Sequence, residues 1–265
     1  MAAKLQDRVL LISGSTGIAA ATVRLAASEG ARLFITSRTE ANCRALADEL
    51  RAQGHECGYH PAELSRTAEV EAAVASAIKQ FGRIDALYNV AGISGRRFGD
   101  GPLHECTDEG WDRTFDANVR SLFLLTRAVL CQMLKQPPRP NGLRGTILHM
   151  ASVLGFSPDV EHFNTHAYAT SKAAIIGLTK SMAAYYAEHK VRVNAIAPGL
   201  VRTPMSKRAQ GDDQILQYMT TKQPLTGGII EPDEVARASV FLLSDDAAAI
   251  TGDVLVVDGG WQFNG

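Results

Sequence analysis

The chain has 265 residues, of which 46% are hydrophobic and 21% charged, and its 27 basic residues nearly balance 28 acidic ones. These fractions are typical of a globular protein and exclude a wholly disordered or collagen-like chain. The formal net charge of -1 gives no electrostatic reason to expect nucleic acid or an anionic membrane as a partner. The length allows one large α/β domain or two smaller ones.

Short apolar segments alternate with segments of helical length along the whole chain. The strands are predicted at 8–13, 31–37, 56–60, 84–90, 146–151, 191–196 and 254–257. The helices are predicted at 16–29, 40–53, 67–81, 109–118, 119–135, 166–189 and 232–243. Apolar strands separated by helices are typical of a parallel sheet covered on both faces. The Pro-rich segment 136–144 is interpreted as a surface loop because the alternation resumes after it.

This order predicts a single-domain α/β fold over residues 1–265, with a Rossmann-like, doubly wound parallel sheet of about seven strands and helices on both faces. The first eight residues lack the apolar run of a secretory signal, and the apolar stretch 121–134 is interrupted by Arg127 and too short to span a membrane. The four cysteines form no CxxC pair, which predicts free thiols in a reducing compartment. We therefore expect a cytoplasmic protein.

Two features near the N-terminus point to a dinucleotide. The first predicted strand leads into a glycine-rich turn, which contains Ser13, Gly14, Ser15, Thr16, Gly17 and Ile18. Such a turn brings backbone N–H groups to a pyrophosphate, although it is also compatible with an ordinary tight connection. The second strand ends at Ser37 and Arg38, where an acidic residue would favour NAD(H) and an arginine accommodates a 2′-phosphate. NADP(H) is therefore favoured over NAD(H), with a solvated arginine as the alternative.

Tyr168 and Lys172 stand four residues apart on a predicted helix, so both side chains lie on one face. An ammonium beside a phenol favours the phenolate and is expected to lower the pKa of Tyr168, which makes proton transfer feasible near neutrality. The pair alone is common in helices. Ser152, at the end of the strand just upstream, and the glycine-rich turn support the interpretation of the pair as part of a catalytic site.

Together these residues resemble the short-chain dehydrogenase/reductase family, and the resemblance runs nearly end to end. The family motifs follow in order at 13–19, 89–92, Asn118, 152–155, 168–172, 194–199 and 251–260. The resemblance implies that Tyr168 is the general acid/base, that Lys172 lowers its pKa and binds the nicotinamide ribose, and that Ser152 holds the substrate oxygen. It also implies that Asn118 positions a water for proton relay. The remaining cofactor contacts that it implies are Glu63, Leu64, Asn89, Ala91, Gly92, Pro198, Gly199, Val201 and Thr203.

The glycine turn departs from the family pattern. It is one residue short between Gly14 and Gly17, and Ala19 stands where the family has a last glycine. Ala19 adds a methyl where helix and strand pack closely, so a displaced pyrophosphate loop is expected. Val90 and Glu63 also replace the usual Asn and Asp of their motifs.

The resemblance implies an alcohol dehydrogenase or carbonyl reductase that transfers hydride between a nicotinamide and a small-molecule substrate, and a homotetramer or homodimer. Loops at about 95–104, 154–165 and 204–228 are expected to enclose the substrate. The alternative is a non-catalytic dinucleotide-binding sensor or scaffold on the same fold. An epimerase is disfavoured because no larger C-terminal substrate domain follows, and an enoyl reductase because its Lys lies farther from Tyr.

Two further patterns lie in the substrate loops. His162 and His166 have the spacing of a helical metal pair, but no HExxH motif surrounds them and Pro158 favours a loop. No metal is therefore expected. Arg96 and Arg97 follow the strand end at 89–92, where open α/β sheets bind ligands, so contact with substrate is possible alongside simple solvation.

Overall fold

The computed structural model describes residues 3–264, so Met1, Ala2 and Gly265 of the expected domain lie outside the described residues. Seven parallel strands form one sheet in the order β3-β2-β1-β4-β5-β6-β7. They are β1 (Val9–Ser13), β2 (Arg32–Ser37), β3 (Cys57–Pro61), β4 (Ala86–Asn89), β5 (Gly145–Met150), β6 (Val191–Pro198) and β7 (Val254–Val257). The predicted Rossmann-like doubly wound sheet is confirmed.

Nine α-helices accompany the sheet in the described part of the chain. They are α1 (Gly17–Ser28), α2 (Glu40–Ala52), α3 (Thr67–Phe81), α4 (Asp108–Phe115), α5 (Ser121–Lys135), α6 (His166–Tyr186), α7 (Lys207–Gln210), α8 (Asp213–Lys222) and α9 (Pro232–Leu243). The short helices α7 and α8 lie in the segment 204–228, which the sequence predicted only as a loop. None of the helices within residues 3–264 has the length and hydropathy that a membrane crossing needs.

Both faces of the sheet are covered by apolar layers, as continuous buried strands require. All five residues of β1 are buried, and they alternate between the two layers. Leu10 and Ile12 pack with α1, α2 and α9, whereas Val9 and Leu11 pack with α3, α5 and α6. The hydrophobic residues of β1 therefore contribute to the apolar layers on both faces of the sheet.

Two boundaries differ from the sequence prediction for identifiable reasons. The predicted strand 84–90 is observed as Ala86–Asn89, and it ends at Asn89 because the Val90 amide donates to the Ser13 hydroxyl at 2.9 Å instead of joining the ladder. The predicted helices 109–118 and 119–135 are joined by a π-helical turn, Asp116–Arg120. The π-turn widens the helix by one residue at the position that carries Asn118.

The Pro-rich segment 136–144 is anchored to the sheet rather than freely solvated. Gln136 is buried and donates from Nε2 to the Ile84 carbonyl at 2.7 Å. Arg139 forms an ion pair with the buried Asp85 at 3.1 Å. These contacts fix the end of the sheet that lies opposite the carboxyl ends of the strands, and leave those carboxyl ends as the open edge.

Candidate active site

A cavity of about 590 Å³ opens at the carboxyl ends of the strands, next to the point where β1 and β4 lie side by side. In a doubly wound sheet this switch point is where ligands bind. The cavity is lined by the turn after β1, by the ends of β2, β4, β5 and β6, and by parts of all three expected substrate loops. The sheet order thus brings motifs from both halves of the chain to one cleft.

The glycine turn presents an open helix N-terminus to this cavity. Gly14 and Gly17 both have positive φ, of 107° and 54°, which only glycine adopts readily. Thr16 precedes α1 without a side-chain cap, so the first N–H groups of the helix stay available to an anion. The methyl group of Ala19 is buried beneath the turn, and a Cβ placed on Gly14 would lie 3.1 Å from it. This cradle fits a pyrophosphate.

The end of β2 forms the outer part of the cleft. The hydroxyls of Ser37 and Ser15 lie 2.9 Å apart, which ties the second strand end to the glycine turn. Arg38 has a side chain that is 66% exposed and pairs loosely with Glu63 at 3.6 Å. Leu64, Thr39 and Asn42 also line this end; sequence reasoning missed the last two.

Ser152, Tyr168 and Lys172 meet on the inner wall of the cleft. Ser152 follows β5, and α6 places Tyr168 and Lys172 one helical turn apart, with the Lys172 Nζ 5.5 Å from the centre of the phenol ring. The Lys172 ammonium is buried and donates to the Met150 carbonyl at 2.8 Å. The strand end and the helix therefore hold the three side chains in one fixed arrangement.

The pKa values of this trio differ from the sequence expectation. Burial raises the pKa of the Tyr168 phenol, and a hydrogen bond with Ser152 only partly offsets it. The structure therefore gives the opposite direction to the expected lowering of that pKa, because burial of the phenol outweighs its hydrogen bond with Ser152. Burial lowers the pKa of Lys172 to about 8. The site therefore holds a neutral Tyr168 phenol next to a Lys172 ammonium whose pKa is close to neutral pH.

Asn118 lies in the π-turn between α4 and α5, behind the cavity wall. Its Oδ1 accepts from the Ile93 amide at 2.8 Å, and its Nδ2 donates to the Ile93 carbonyl at 3.1 Å and to the Ser171 hydroxyl at 3.0 Å. Asn118 thereby joins the segment after β4 to the helix that carries Tyr168 and Lys172. Gly92 must be small here, since a Cβ would lie 2.8 Å from the Asn118 Oδ1.

Ser13 and Asn89 also lie behind the wall, although the resemblance placed both among the cofactor contacts. The Ser13 hydroxyl accepts from the amides of Val90 and Ala91 at 2.9 and 3.2 Å. The Asn89 Nδ2 donates to the Thr126 hydroxyl at 3.0 Å. Both side chains support the strand ends, while their neighbours Ala91 and Gly92 line the cavity.

The end of β6 supplies Pro198, Gly199, Val201 and Thr203 to the opposite wall. Gln223, which sequence reasoning missed, fixes this segment: it is fully buried, and its Oε1 accepts from the Leu200 amide while its Nε2 donates to the Gly228 carbonyl at 2.7 Å. A lone glutamine between two loops carries no sequence signal. Only the tertiary structure shows that it positions this wall of the cavity.

The substrate end is closed by apolar and basic side chains. Phe163 and Trp261 lie with ring centres 5.4 Å apart and line the cavity, together with Arg96, Arg97 and Arg208. His162 packs against the Tyr218 ring, and His166 is the exposed first residue of α6. Within residues 3–264 no group of three or more His, Cys, Asp or Glu is arranged to hold a metal ion.

Comparisons with known proteins agree with this arrangement. A family model described as enoyl-(acyl carrier protein) reductase matches residues 12–262. An A-factor type γ-butyrolactone 1′-reductase (1S-forming) of Streptomyces virginiae is 41% identical over 98% of this chain and 97% of its own. Oxidoreductase UcpA of Salmonella typhimurium is 39% identical, with 97% and 95% covered.

Solved structures show the same fold. The crystal structure of gox2181 has a TM-score of 0.89 and 31% identity, covering 97% of this chain and 96% of its own. A variant of actinorhodin polyketide ketoreductase, solved with NADPH, has a TM-score of 0.86 and 31% identity, covering 97% and 98%.

The chain belongs to the short-chain dehydrogenase/reductase family, as its motifs indicated. It is an oxidoreductase that interconverts an alcohol and a carbonyl compound by hydride transfer with a nicotinamide dinucleotide.

Proposed function

We propose that the protein is an NADP(H)-preferring carbonyl reductase or alcohol dehydrogenase in which Tyr168 is the general acid/base. The convergence of Ser152, Tyr168 and Lys172 on one wall of the cleft carries this proposal. That wall faces the cradle at Gly14–Gly17 across a single cavity. We further propose that residues 1–265 act as one catalytic domain.

The bound dinucleotide supplies the hydride acceptor or donor, and the protein supplies position and the proton. The Ser152 hydroxyl and the Tyr168 phenol hold the substrate oxygen between them. In reduction the Tyr168 Oη–H bond breaks and its proton passes to the oxygen as the carbonyl carbon is reduced; oxidation of the alcohol reverses this transfer. The Lys172 ammonium stabilises the phenolate left behind. Asn118 holds the segment at Ile93 against the helix that carries Tyr168, and we expect the proton to return through a water positioned there.

Preference for the 2′-phosphate rests on Arg38. Its guanidinium is exposed at the rim of the cleft, and its pairing with Glu63 at 3.6 Å is loose enough to be replaced by a phosphate. A ketoreductase with the same fold was solved with NADPH. The remaining proposed contacts line the path between Arg38 and Tyr168: Ser15, Thr16, Ile18, Ser37, Leu64, Ala91, Gly92, Pro198, Gly199, Val201 and Thr203.

The chemistry favours a ketone or aldehyde over an enoyl group. Tyr168 and Lys172 are four residues apart, which is shorter than the spacing of enoyl reductases. A relative from Thermotoga maritima, 32% identical over 97% of this chain and 98% of its own, is named as a 3-oxoacyl-[acyl-carrier-protein] reductase.

We also propose a cytoplasmic homotetramer, or a homodimer, assembled through α5 and α6. Phe123 and Leu134 on α5 and Tyr185 on α6 are large apolar side chains left exposed on these helices. Sedimentation at micromolar concentration is expected to show an assembly, and a monomer would contradict this part of the proposal.

The test compares the wild-type protein with Tyr168→Phe on a panel of ketones and aldehydes, measured as oxidation of NADPH. Removing the phenol hydroxyl is expected to lower turnover on the order of a hundredfold to ten-thousandfold, because general acid catalysis contributes that much. Calorimetry should show unchanged dinucleotide binding in the variant. Full turnover by Tyr168→Phe would refute the acid/base role, and binding without turnover of any carbonyl by the wild type would favour the sensor.

A further inference from the structure

One backbone carbonyl ties together the three loops that enclose the substrate end of the cleft. The His162 oxygen, in the loop after β5, accepts from the Arg96 Nη2 at 2.9 Å and from the Arg208 Nη2 at 3.1 Å. Arg96 lies in the loop after β4 and Arg208 in α7. Two guanidinium groups from distant parts of the chain therefore converge on one point.

This convergence brings two like charges together with no carboxylate in direct ion-pair contact among the described residues. Neither Arg96, Arg97 nor Arg208 forms an ion pair with a carboxylate within the part of the chain that the structure describes. Arg96 is half-buried, and burial together with the charge of Arg208 lowers its pKa, an effect that the charge of Asp100 offsets only in part. Such a pair is electrostatically unfavourable until an anion binds between or beside the two groups.

The acidic residues nearest to the pair are committed to other donors. The Asp100 carboxylate accepts from the amides of Ala167 and Tyr168, each at 2.9 Å. The Asp159 carboxylate accepts from the Tyr218 hydroxyl and from the His162 amide at 2.8 Å. Glu161 is exposed and lies beside the His162 ring rather than the arginines. None of these three carboxylates accepts a hydrogen bond from Arg96 or Arg208 in the described structure, so both guanidinium groups keep N–H donors for a ligand.

The pair also stands in a fixed relation to the catalytic wall. Asp100, four residues after Arg96, caps the first turn of α6, and the His166 amide donates to the Gly101 carbonyl at 3.2 Å. That turn carries Tyr168. Gly95 permits the tight approach, because its φ is 78° and a Cβ there would meet the Thr114 hydroxyl. The loop that presents Arg96 is therefore built onto the helix that presents the phenol.

The cavity that contains the phenol and the arginines also has apolar lining. Ile93, Leu154, Phe163 and Trp261 contribute to it. The Arg208 guanidinium lies 6.0 Å from the centre of the Phe163 ring, so the cationic groups border directly on this apolar lining. The space suits a carbonyl compound with a hydrocarbon middle and a charged end.

We propose that the substrate carries a carboxylate, separated from its reacting carbonyl by an apolar segment, and that Arg96 and Arg208 bind this carboxylate. Each guanidinium has five N–H donors in a planar fork and gives one to His162, which leaves donors for the two oxygens of a carboxylate. The proposal rests on the function proposed above for the position of the reacting carbonyl, and deepens it to an oxo acid or hydroxy acid as substrate.

The experiment uses a series of methyl-ketone carboxylic acids of increasing chain length, each paired with its methyl ester. Their reduction is followed as oxidation of the reduced dinucleotide that the protein prefers. In parallel, calorimetry measures binding of the same acids and esters to the protein with oxidised dinucleotide, where a ketone cannot react. The variants are Arg96→Gln and Arg208→Gln, with Arg96→Lys as the conservative change and Lys207→Gln as the control, since Lys207 adjoins Arg208 but does not line the cavity.

We expect at least one acid to exceed its ester about tenfold in kcat/KM and in affinity, as charge-assisted hydrogen bonds imply. The difference should lie in KM rather than kcat. Either glutamine variant should bring acid and ester close to parity, Arg96→Lys should keep part of the preference, and Lys207→Gln should keep all of it. Thermal unfolding shows whether a variant is folded.

The carboxylate proposal is overturned if acids and esters are equal for the wild type, if no acid binds, or if the preference survives both glutamine substitutions. These outcomes differ from failure of the proposed function. Turnover retained by Tyr168→Phe would remove the acid/base role while leaving the calorimetric preference for acids in place.

Discussion

The two ends of the cleft are built in opposite ways. At the inner end, Lys172 in the wall and Asn118 behind it are buried, and their polar atoms are bound to backbone carbonyls and amides. At the outer rim, Arg38 is mostly exposed and its contact with Glu63 is a loose surface pair. Packing and hydrogen bonds fix the conformation of a buried side chain before any ligand binds. An exposed side chain is free to change its conformation when a ligand binds. In the proposed function, proton transfer takes place at the rigid inner end and discrimination between NADP(H) and NAD(H) at the adjustable outer rim.

The largest effect should come from Lys172→Met, which removes a buried charge from the rigid end. The pKa of Lys172 is about 8 in the folded protein and 10.5 for an ordinary lysine, so the unfolded chain binds more protons between these values. The stability of the wild type relative to the variant should therefore rise with pH from about 8 to 10.5, by about 3 kcal/mol. Below pH 8 the difference should be flat.

Denaturant unfolding at a series of pH values measures this difference. The buried Cys57 thiol, with a pKa raised to about 12, acts in the opposite direction above its ordinary value of 9.0. It is present in both proteins and cancels in the comparison. A wild-type-minus-variant difference that stays constant across the window would show that Lys172 is not held at a lowered pKa.

Asn118→Ala should break the link between the inner wall and the segment after β4. It leaves the Ile93 amide and carbonyl without partners, so the free energy of unfolding should fall by about 2 kcal/mol. Turnover should fall about tenfold to a hundredfold, because the helix that carries Tyr168 loses its support. Thermal or denaturant unfolding and carbonyl reduction are measured together.

Asn194→Ala is the matched control for that change. Asn194 is equally buried in β6, and its side chain bonds the Ile250 carbonyl at 2.9 Å and the Asp253 amide at 3.0 Å, away from the cavity. It should lose similar stability and keep its turnover. If both variants lost stability and neither lost turnover, Asn118 would be structural only.

At the adjustable rim, Arg38→Gln should change the preference between NADPH and NADH without changing the hydride and proton transfer steps. Loss of the guanidinium should weaken NADPH about tenfold and leave NADH almost unaffected, since only NADPH carries the 2′-phosphate. Arg66→Gln is the control, because Arg66 is an equally exposed arginine that pairs with Glu69 outside the cavity. The dissociation constants of both dinucleotides are measured by calorimetry. An unchanged ratio of the NADPH and NADH dissociation constants in Arg38→Gln would contradict the role of Arg38.

The smallest effect should follow Tyr218→Phe, at the edge of the substrate loops. The Tyr218 hydroxyl donates to Asp159, which still accepts three backbone amides when the hydroxyl is removed. A rise in KM of about twofold to threefold is expected, within the range of one hydrogen bond at a half-exposed site. Tyr185→Phe, on an exposed tyrosine of α6, should change nothing. An effect above tenfold would mean that this loop is part of the rigid end.

Much of the fold could be predicted because buried strands and helices leave periodic patterns. Helix Pro232–Leu243 and strand Val254–Val257 lie where the pattern placed them. Helices α7 and α8 were not predicted, since the segment 204–228 was assigned only as a loop that encloses the substrate. The π-turn at Asn118 was also missed, because one additional residue in a helix leaves no signature in composition.

The sequence by itself indicated the family, the succession of strands and helices along the chain, and the residues Ser152, Tyr168 and Lys172 of the inner wall. Tyr168 and Lys172 could be paired because residues one helical turn apart lie on the same face whatever surrounds them. Only the tertiary structure decided that Ser13, Asn89 and Asn118 stand behind the cavity wall, that Gln223 fixes the segment after β6, and that Arg96 and Arg208 converge on His162. It also reversed the expected pKa shift of Tyr168. Each of these features depends on burial or on contacts between segments that are distant in the chain. The local spacing of residues in the sequence predicts neither burial nor such contacts.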